Sequence, residues 1–369
     1  MFGKKDTNLT PETVTKLLEK VIDPELEKDL VSAGMVKDVQ IDSGRIRIGL
    51  ELPTPAWEPK ALLEQEVRRV VGKEAGDRKI ELAFGSNVRV SRPGQSAGQN
   101  LVPGARNLIL FASGKGGVGK STVATNVAAA LANLGANVGL LDADIYGPSI
   151  PTMLGTHEKP EVSGQKLIPV NRYGMKLMSI GFIVDPKEAM TWRGPMLNGA
   201  LIQFMRDVEW GDLDYLVLDL PPGTGDVQLT IAQNVKVSGA VLVSTPQDVA
   251  LADVTRGKAM FDKVDIPILG VVENMAHFVC TSCSAKHHIF GKGGATRLAK
   301  ELQLPLLAEV PLEVSTRESA DAGRPEVLAN PNSGASQAFF GLAKKVATML
   351  AKKAAAGGIK ASGGLKIIQ

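Results

Sequence analysis

Residues 114–122 read GKGGVGKST and combine the glycines and lysines of a loop that holds phosphate groups. The spacing matches G-x-x-x-x-G-K-[ST], in which backbone N–H groups close around the phosphates and the last lysine neutralises their charge. A second lysine directly follows the first glycine. We predict a nucleotide site formed by the whole loop: Gly114, Lys115, Gly116, Gly117, Val118, Gly119, Lys120, Ser121 and Thr122.

The residues on either side give this loop the context that a phosphate site requires. Residues 107–112 are a short apolar run typical of a strand, and residues 120–134 have the alanine-rich periodicity of a helix. The N-terminus of that helix then presents unpaired N–H groups and the positive end of its dipole to the phosphates. A glycine-rich turn that binds no ligand would need neither the preceding strand nor the following helix.

Two carboxylates follow apolar runs of strand type. Asp144 lies in DADIYGPS and Asp219 in DLPPGTGD. Carboxylates at the carboxyl edge of a parallel sheet, beside a phosphate loop, are well placed to hold Mg²⁺ and to orient a water molecule. We therefore predict nucleotide hydrolysis in which Lys120 and Asp144 are catalytic, Ser121 and Asp144 bind Mg²⁺, and Asp219 takes the Walker-B position.

The polar residues next to these carboxylates are less specific. Asp142 and Asp226 fit a helix cap or a turn as well as they fit a magnesium site, and both roles stay open. The turn at residues 221–223, PPG, is placed to sense the terminal phosphate.

The chain has two cysteines, Cys280 and Cys283, in one C-x-x-C. In a reducing compartment such a pair is a metal or redox site rather than a structural disulfide. Three interpretations remain open. The pair supplies half of a four-iron cluster whose other thiolates come from a second copy across a two-fold axis, or it binds zinc with His287 or His288, or it is a redox-active or inert dithiol.

Composition indicates an ordinary globular protein and excludes several classes. The chain has 369 residues, of which 44% are hydrophobic, and its net charge of +3 gives no reason to expect a nucleic-acid partner. The first residues lack the apolar stretch of a signal peptide, and no run of about 18 apolar residues occurs. We expect a cytoplasmic protein without a membrane anchor.

The order of elements indicates two domains. A pattern of helix, two strands, helix and strand near the N-terminus predicts a small α+β domain. Further on, apolar runs alternate with helical segments, which predicts a doubly wound α/β domain around a mostly parallel sheet. The predicted buried strands of that sheet are residues 107–112, 138–141, 215–218, 240–243, 268–272 and 306–310.

Composition and the apolar pattern also predict the last helix and the boundaries of the domains, the linker and the tail. The apolar stripe of residues 339–353 fits a helix packed on the sheet better than a basic helix lying on a membrane. We predict a small α+β domain at 1–90, a flexible linker at 91–106, the α/β domain at 107–353 and a mobile tail at 354–369.

The segments GKGGVGKST, DADIYGPS, DLPPGTGD and ENMAHFVCTSC together resemble the Mrp/ApbC family of iron-sulfur carrier ATPases. The resemblance covers residues 105–350. It implies a deviant Walker-A ATPase that acts as a homodimer, with Lys115 reaching the phosphates of the partner as a further catalytic residue. It also implies that the side-chain amide of Asn274 contacts adenine, and it favours the bridging 4Fe-4S cluster at Cys280 and Cys283. The implied partners are apo iron-sulfur proteins and a cluster donor.

Residues 11–90 resemble the small PaaD-like domain that often precedes the ATPase in this family, through DPEL and LPTPAWEP. Where that domain commonly has a cysteine, this chain has Trp57, which argues against a thiolate there. We therefore interpret the domain as a docking or positioning module, and we expect Asp23 and Glu25 to cap a helix or form a turn.

The sequence thus predicts an ATP-hydrolysing homodimer that binds a labile iron-sulfur cluster and transfers it to apo-proteins. One alternative is a partitioning or positioning ATPase, which would leave the cysteines without a role. Others are a zinc-binding P-loop ATPase and an electron-donating reductase like the nitrogenase iron protein, although that protein takes its cluster cysteines from two separate loops.

Overall fold

The computed structural model describes residues 9–91, 101–144, 147–183, 194–223, 225–280 and 282–356. These residues form two compact units. The first holds the described residues up to Arg89 together with residues 351–356, and the second runs from Val90 to Leu350. Residues 92–100 of the predicted linker and residues 357–369 of the predicted tail lie outside the described residues.

The first unit contains a three-stranded sheet, a short two-stranded pair and two helices. Its elements are α1 (Pro11–Leu18), β1 (Ile22–Asp23), β2 (Lys28–Asp29), β3 (Val36–Ile41), β4 (Arg45–Leu52), α2 (Lys60–Gly72) and β5 (Lys79–Ser86). Strand β4 pairs β3 antiparallel and β5 parallel, and its side chains alternate between the solvent and the core, whereas β1 pairs β2. Helix α1 starts at a proline, after Thr10 accepts a hydrogen bond from the backbone N–H of Thr13.

Trp57, which stands where a cysteine is common in the family, is part of the core of this unit. Its side chain is 1% exposed, and its indole Nε1 donates a 2.8 Å hydrogen bond to Oδ2 of the fully buried Asp23. The other carboxylate oxygen of Asp23 accepts from the backbone N–H groups of Glu25 and Leu26. Asp23 therefore forms the predicted turn, and Trp57 satisfies the remaining oxygen.

Replacing Trp57 by phenylalanine is expected to destabilise the first unit by about 1–3 kcal/mol, because a buried carboxylate oxygen loses its donor while the ring volume is largely kept. Hydrogen exchange of the β4 amides measures the effect. Trp210→Phe is the matched control, since Trp210 Nε1 donates to the carbonyl oxygen of Phe204 in the second unit. Equal protection of β4 in Trp57→Phe and the unaltered chain would contradict this role.

The second unit is built on a nine-stranded sheet. The elements from Ala105 onward are β6 (Ala105–Ala112), α3 (Lys120–Asn133), β7 (Val138–Asp142), α4 (Ile150–Met153), β8 (Glu161–Ser163), β9 (Lys166–Ile168), β10 (Val170–Arg172), β11 (Met175–Ser179), α5 (Gly194–Asp207), β12 (Leu213–Asp219), α6 (Asp226–Asn234), β13 (Gly239–Ser244), α7 (Asp248–Lys263), β14 (Ile268–Val279), β15 (Lys286–His287), α8 (Gly294–Glu301), β16 (Leu306–Leu312), α9 (Val314–Asp321), α10 (Glu326–Ala329) and α11 (Gly334–Ala356).

The strands of the nine-stranded sheet run β10, β11, β7, β12, β6, β13, β14 and β15, with β16 also paired to β14, while β8 and β9 pair separately. Within the described part of this sheet, only the β10/β11 and β14/β15 pairs are antiparallel. The doubly wound, mostly parallel fold predicted from the sequence is confirmed.

The central strands are buried on both faces, which explains why they read as continuous apolar runs. Their parallel register brings three carboxyl ends together, because Asp219 pairs with Asp142 on one side and with Phe111 on the other. The loops that follow β6, β7 and β12 therefore leave the sheet at one edge, as a site at the carboxyl ends of the strands requires.

The stripe predicted for the last helix is also buried. Phe339, Leu342, Val346 and Leu350 are each at most 1% exposed. The helix packs against the protein core, as predicted, and it extends to Ala356, beyond the predicted start of the tail.

Candidate nucleotide site and cysteine hairpin

Lys120 opens helix α3 and points into the protein rather than into solvent. Its side chain is 6% exposed, its ammonium group pairs with Oδ1 of Asp219, and it lies 3.4 Å from Oγ of Ser121. Asp219 is fully buried, and within the described part of the chain its Oδ2 has no hydrogen-bond partner. The two residues form a buried ion pair in which one carboxylate oxygen is available to a further ligand.

Asp142 lies next to this pair in the adjacent strand. Burial and, as the second cause, the neighbouring Asp219 carboxylate raise the pKa of Asp142 to about 8. One carboxylate oxygen of Asp142 accepts from the backbone N–H of Asp144 at 3.1 Å, and the other accepts from Oγ of Ser179 at 3.1 Å. Asp142 is therefore a protonated buried acid at neutral pH, and it fixes the backbone before Asp144.

Burial also raises the pKa of Asp219, while the Lys120 ammonium opposes that shift. Two carboxyl groups and one ammonium thus share this part of the interior. The favoured arrangement is an ionised Asp219 beside Lys120 and a protonated Asp142, because it leaves no unpaired buried charge. Of the two carboxylates left open by the sequence, Asp142 is this buried acid and Asp226 is the first residue of helix α6.

Two glycines of the loop, Gly114 and Gly119, are required by close contacts. A Cβ at Gly114 would lie 2.2 Å from Cβ of Asp253, and a Cβ at Gly119 would lie 2.2 Å from Nδ2 of Asn274. Gly119 also has a φ of 79°, in the left-handed region that favours glycine. Asn274 Nδ2 donates a 2.9 Å hydrogen bond to the carbonyl oxygen of Val118. Asn274 is in contact with the loop itself, which the sequence analysis did not anticipate.

The loop borders an open cleft of about 630 Å³. Residues 115–122 and Asp144 line it together, whereas Gly114, Asp219 and Asn274 are not part of its lining. Asp219 instead contacts the lining residue Lys120, and Asn274 contacts the lining residue Val118. The sequence analysis did not single out several further lining residues. They are Gly147, Pro148, Ser149, Thr152, Met153, Ala320 and Asp321.

The predicted phosphate-sensing turn is tied to the loop. Pro222 lines the cleft, and the backbone N–H of Gly223 donates to the carbonyl oxygen of Ser113 at 2.9 Å. Nε2 of the buried Gln228 donates to the carbonyl oxygens of Pro221 and Gly223. The turn is thus held between the phosphate loop and helix α6. Gln228 was missed because a glutamine in a helix gives no sequence signal.

Cys280 and Cys283 lie at the tip of a β-hairpin. Strand β14 pairs antiparallel with β15 through Phe278 opposite His287 and Val279 opposite Lys286. Across the tip, the Cys280 N–H donates to the carbonyl oxygen of Ala285 at 3.0 Å. Cys280 is partly exposed and Cys283 is exposed. Both sulfurs are therefore accessible to a ligand from outside the chain.

The hairpin tip favours the thiolate form of Cys280. Backbone N–H groups of Ser282 and Cys283 and the Cys283 thiol lower the pKa of Cys280. The thiolate is the form that binds metals, so this environment prepares Cys280 to act as a ligand.

The histidines near the cysteines do not complete a metal site. Nδ1 of His288 lies 3.1 Å from the carbonyl oxygen of Ala276, and His287 is exposed. Among the residues that the structure describes, no three His, Cys, Asp or Glu side chains are grouped to hold a metal ion. The zinc alternative therefore lacks a third ligand within this part of the chain.

A family model described as NUBPL iron-transfer P-loop NTPase matches residues 104–347. The chain belongs to this family. A second model, described as iron-sulfur cluster assembly protein, matches residues 11–82. The resemblance to iron-sulfur carrier ATPases found in the sequence is confirmed, and with it the prediction of a P-loop ATPase.

Individual relatives agree with this assignment. An iron-sulfur cluster carrier protein of Deinococcus radiodurans is 45% identical over 338 residues, which cover 91% of this chain and 94% of that protein. The solved nucleotide-binding protein of Archaeoglobus fulgidus, in complex with ADP, is 42% identical with a TM-score of 0.54, and the match covers 60% of this chain and 88% of that one. The cell division ATPase MinD of Pyrococcus furiosus is 23% identical with a TM-score of 0.50, covering 65% and 98% of the two chains, and shares the fold.

Among the helices within the described ranges, none combines the length and the apolar character that a transmembrane span needs.

Proposed function

We propose that the chain is a homodimeric ATPase that carries a labile 4Fe-4S cluster between two copies and transfers it to apo-proteins in the cytoplasm. The observation that carries the proposal is the exposed hairpin tip, which holds both cysteines of the chain and offers two thiolates to one ligand. The cargo would come from a cluster donor, and the clients are apo iron-sulfur proteins.

The residues of the nucleotide site support ATP as the nucleotide that is bound and hydrolysed. In this proposal Lys120 exchanges Asp219 for the β- and γ-phosphates of ATP, and the N–H groups of the loop hold the remaining phosphate oxygens. Asp144, which shares the cleft with the loop, orients the attacking water. Helix α3 adds the positive end of its dipole.

The donor set fits Mg²⁺, which prefers oxygen ligands. The Ser121 hydroxyl and the Asp144 carboxylate face the same cleft, and Oδ2 of Asp219 is a buried acceptor with no partner in the described structure. We propose Ser121 and Asp144 as the magnesium residues and Asp219 as the Walker-B carboxylate behind them. The positive charge of the ion would stabilise the negative charge on the phosphate oxygens in the transition state.

The cysteine count argues for a shared cluster. A 4Fe-4S cluster takes four thiolates, and the chain has two cysteines. A two-fold axis through the hairpin tips would bring together two pairs from two identical chains without further residues. The same symmetry gives Lys115 a role, because this exposed lysine at the mouth of the cleft would reach the phosphates of the partner.

The N-terminal unit is proposed as a docking module. It matches the iron-sulfur cluster assembly family model, yet Trp57 fills its core and offers no thiolate. The unit therefore positions a client or donor instead of holding the cluster. The partitioning alternative gains no support from the likeness to MinD, which concerns the fold alone.

Anaerobic reconstitution with iron and sulfide tests the cluster. We expect broad visible absorption and about four irons and four sulfides per two chains, and we expect Cys280→Ala and Cys283→Ala to lose both because each removes two of four ligands. Ser282→Ala is the matched control, since it alters the same tip but keeps both thiols and the backbone N–H groups. A colourless protein that binds stoichiometric zinc through both cysteines would reject the proposal.

A further inference from the structure

Strand β14 carries both the contact with the phosphate loop and the cysteine hairpin. It pairs with β13 as far as Glu273 and with β16 as far as Asn274, pairs with β16 once more through Phe278 opposite Leu312, and then continues to the hairpin. Cys280 follows Asn274 by only six positions. The nucleotide site and the hairpin tip are thus joined by one short stretch of backbone.

The contact at the loop end of this stretch is tight. Asn274 is 6% exposed, and its Nδ2 donates to the Val118 carbonyl oxygen at 2.9 Å. Gly119 leaves no room for a side chain against the same amide. A change in the backbone of the loop at Val118 or Gly119 must therefore move Asn274 or break its hydrogen bond.

The next residue, Met275, interrupts the regular conformation of the strand, and we call this position the joint. Met275 has a φ of 56°, in the left-handed region that a residue with a side chain seldom adopts, least of all inside a strand. The pairing of β14 with β16 shifts register over the same residues, between Asn274 and Phe278. The strand therefore changes direction between the loop contact and the hairpin.

Beyond the joint, the strand is tied to the hairpin. The Ala276 carbonyl oxygen lies 3.1 Å from Nδ1 of His288, and Phe278 pairs with His287. On the other side of the joint, Glu273 is held in place, because its carboxylate accepts from the N–H of Ala295 at 2.6 Å. The strand is thus held by the sheet before Met275, and after it by contacts with the hairpin and by the pairing of Phe278 with Leu312 of β16.

We propose that Asn274 is a positioning residue that couples the nucleotide site to the cysteine hairpin. Its hydrogen bond to Val118 sets the backbone at Met275, so that a nucleotide in the loop changes the accessibility of Cys280 and Cys283. The coupling is reciprocal, and a ligand on the cysteines changes the affinity for nucleotide by the same factor. This inference rests on the proposed function for its purpose, since it gives ATP control over the cargo site.

Thiol alkylation of the iron-free chain tests the coupling. The two cysteines are the only ones present, so the rate of reaction with N-ethylmaleimide reports on the hairpin alone. We expect Mg²⁺ and a non-hydrolysable ATP analogue to change that rate by about fivefold or more in the unaltered chain, the lower range of couplings between sites. In Asn274→Ala, measured at a nucleotide concentration that saturates the site, we expect the rate to change by less than about twofold.

Asn126→Ala is the matched control. Asn126 also donates from its side-chain amide to a backbone carbonyl beside the site, that of Thr122, but it lies on helix α3 and not on β14. This variant should keep the full response. An unaltered response in Asn274→Ala, or no response in the unaltered chain, would overturn the coupling.

Met275→Gly keeps the test decisive if Asn274→Ala does not fold or bind nucleotide. The variant retains the Asn274 side-chain amide, and glycine adopts the positive φ without steric penalty, so we expect the chain to fold. The backbone at position 275 becomes more flexible, because glycine has no side chain to restrict it. We expect it to lose most of the response, and a full response would overturn the proposal. The alkylation experiment uses iron-free protein, so its outcome does not depend on cluster reconstitution. Failure of the coupling and failure of the proposed cluster binding can therefore be distinguished.

Discussion

Replacing Lys120 by methionine is expected to lower the rate of phosphate release by about 100- to 1,000-fold or more. It should also destabilise the nucleotide-free second unit by about 3–5 kcal/mol, because the fully buried Asp219 is left without its counter-charge. Phosphate release under saturating ATP measures the first effect. Hydrogen exchange of the amides in β7 and β12 measures the second.

A double variant separates the two effects. Adding Asp219→Asn to Lys120→Met removes the uncompensated charge, so most of the stability should return while hydrolysis stays lost. Asp144→Ala is the complementary comparison, since Asp144 is partly exposed in the cleft and its loss should reduce hydrolysis with a small change in stability. Lys120→Met with an unaltered rate would reject the assignment of the site.

The second large effect concerns pH. Asp142 has a pKa of about 8 in the native state, because it is buried, against roughly 3.9 in an unfolded chain. In the window between these values the native state keeps a proton that the unfolded state releases, so stability falls as pH rises. We expect the free energy of unfolding, without nucleotide and Mg²⁺, to fall by roughly 5 kcal/mol at most from acidic to alkaline pH across this window.

Asp142→Asn removes this titration while keeping the shape of the side chain. Its stability should fall less steeply with pH over the same window and exceed that of the unaltered chain near the alkaline end, while the raised pKa of Asp219 and of Glu273 leaves a smaller slope. Ser179→Ala is the control, because it deletes the hydrogen bond to Asp142 but leaves the acid, so it should lower stability and keep the slope. A slope in Asp142→Asn equal to that of the unaltered chain would assign the titration to another group.

The sequence predicted the sheet and the phosphate loop because both depend on local patterns. Apolar runs located the buried strands, and the glycine and lysine spacing located Lys120 and Ser121. The ion pair between Lys120 and Asp219 was not predictable, because these residues are far apart in sequence and meet through the pairing of β12 with β6. The buried acid at Asp142 depends on the same pairing of distant strands.

Strand β14 was predicted too short for a related reason. The apolar run ends at Val272, and the polar Glu273 and Asn274 suggest that the strand ends there too. Both are instead buried in the interior of the strand, where helix α8 and the phosphate loop satisfy them. Nothing in the sequence marks Met275 as a left-handed residue, or Trp57 as the donor that completes the turn at Asp23.

The hairpin that holds the cysteines has one long strand, β14, which belongs to the sheet, and one very short strand, β15. Strand β15 has two residues, and isolated pairings of this length contribute marginal stability. Local opening of the tip therefore costs far less free energy than opening the nine-stranded sheet beneath it. In the proposed carrier, a cluster bound at the tip would be released by local opening of a few residues, while the nine-stranded sheet that holds the nucleotide site stays folded.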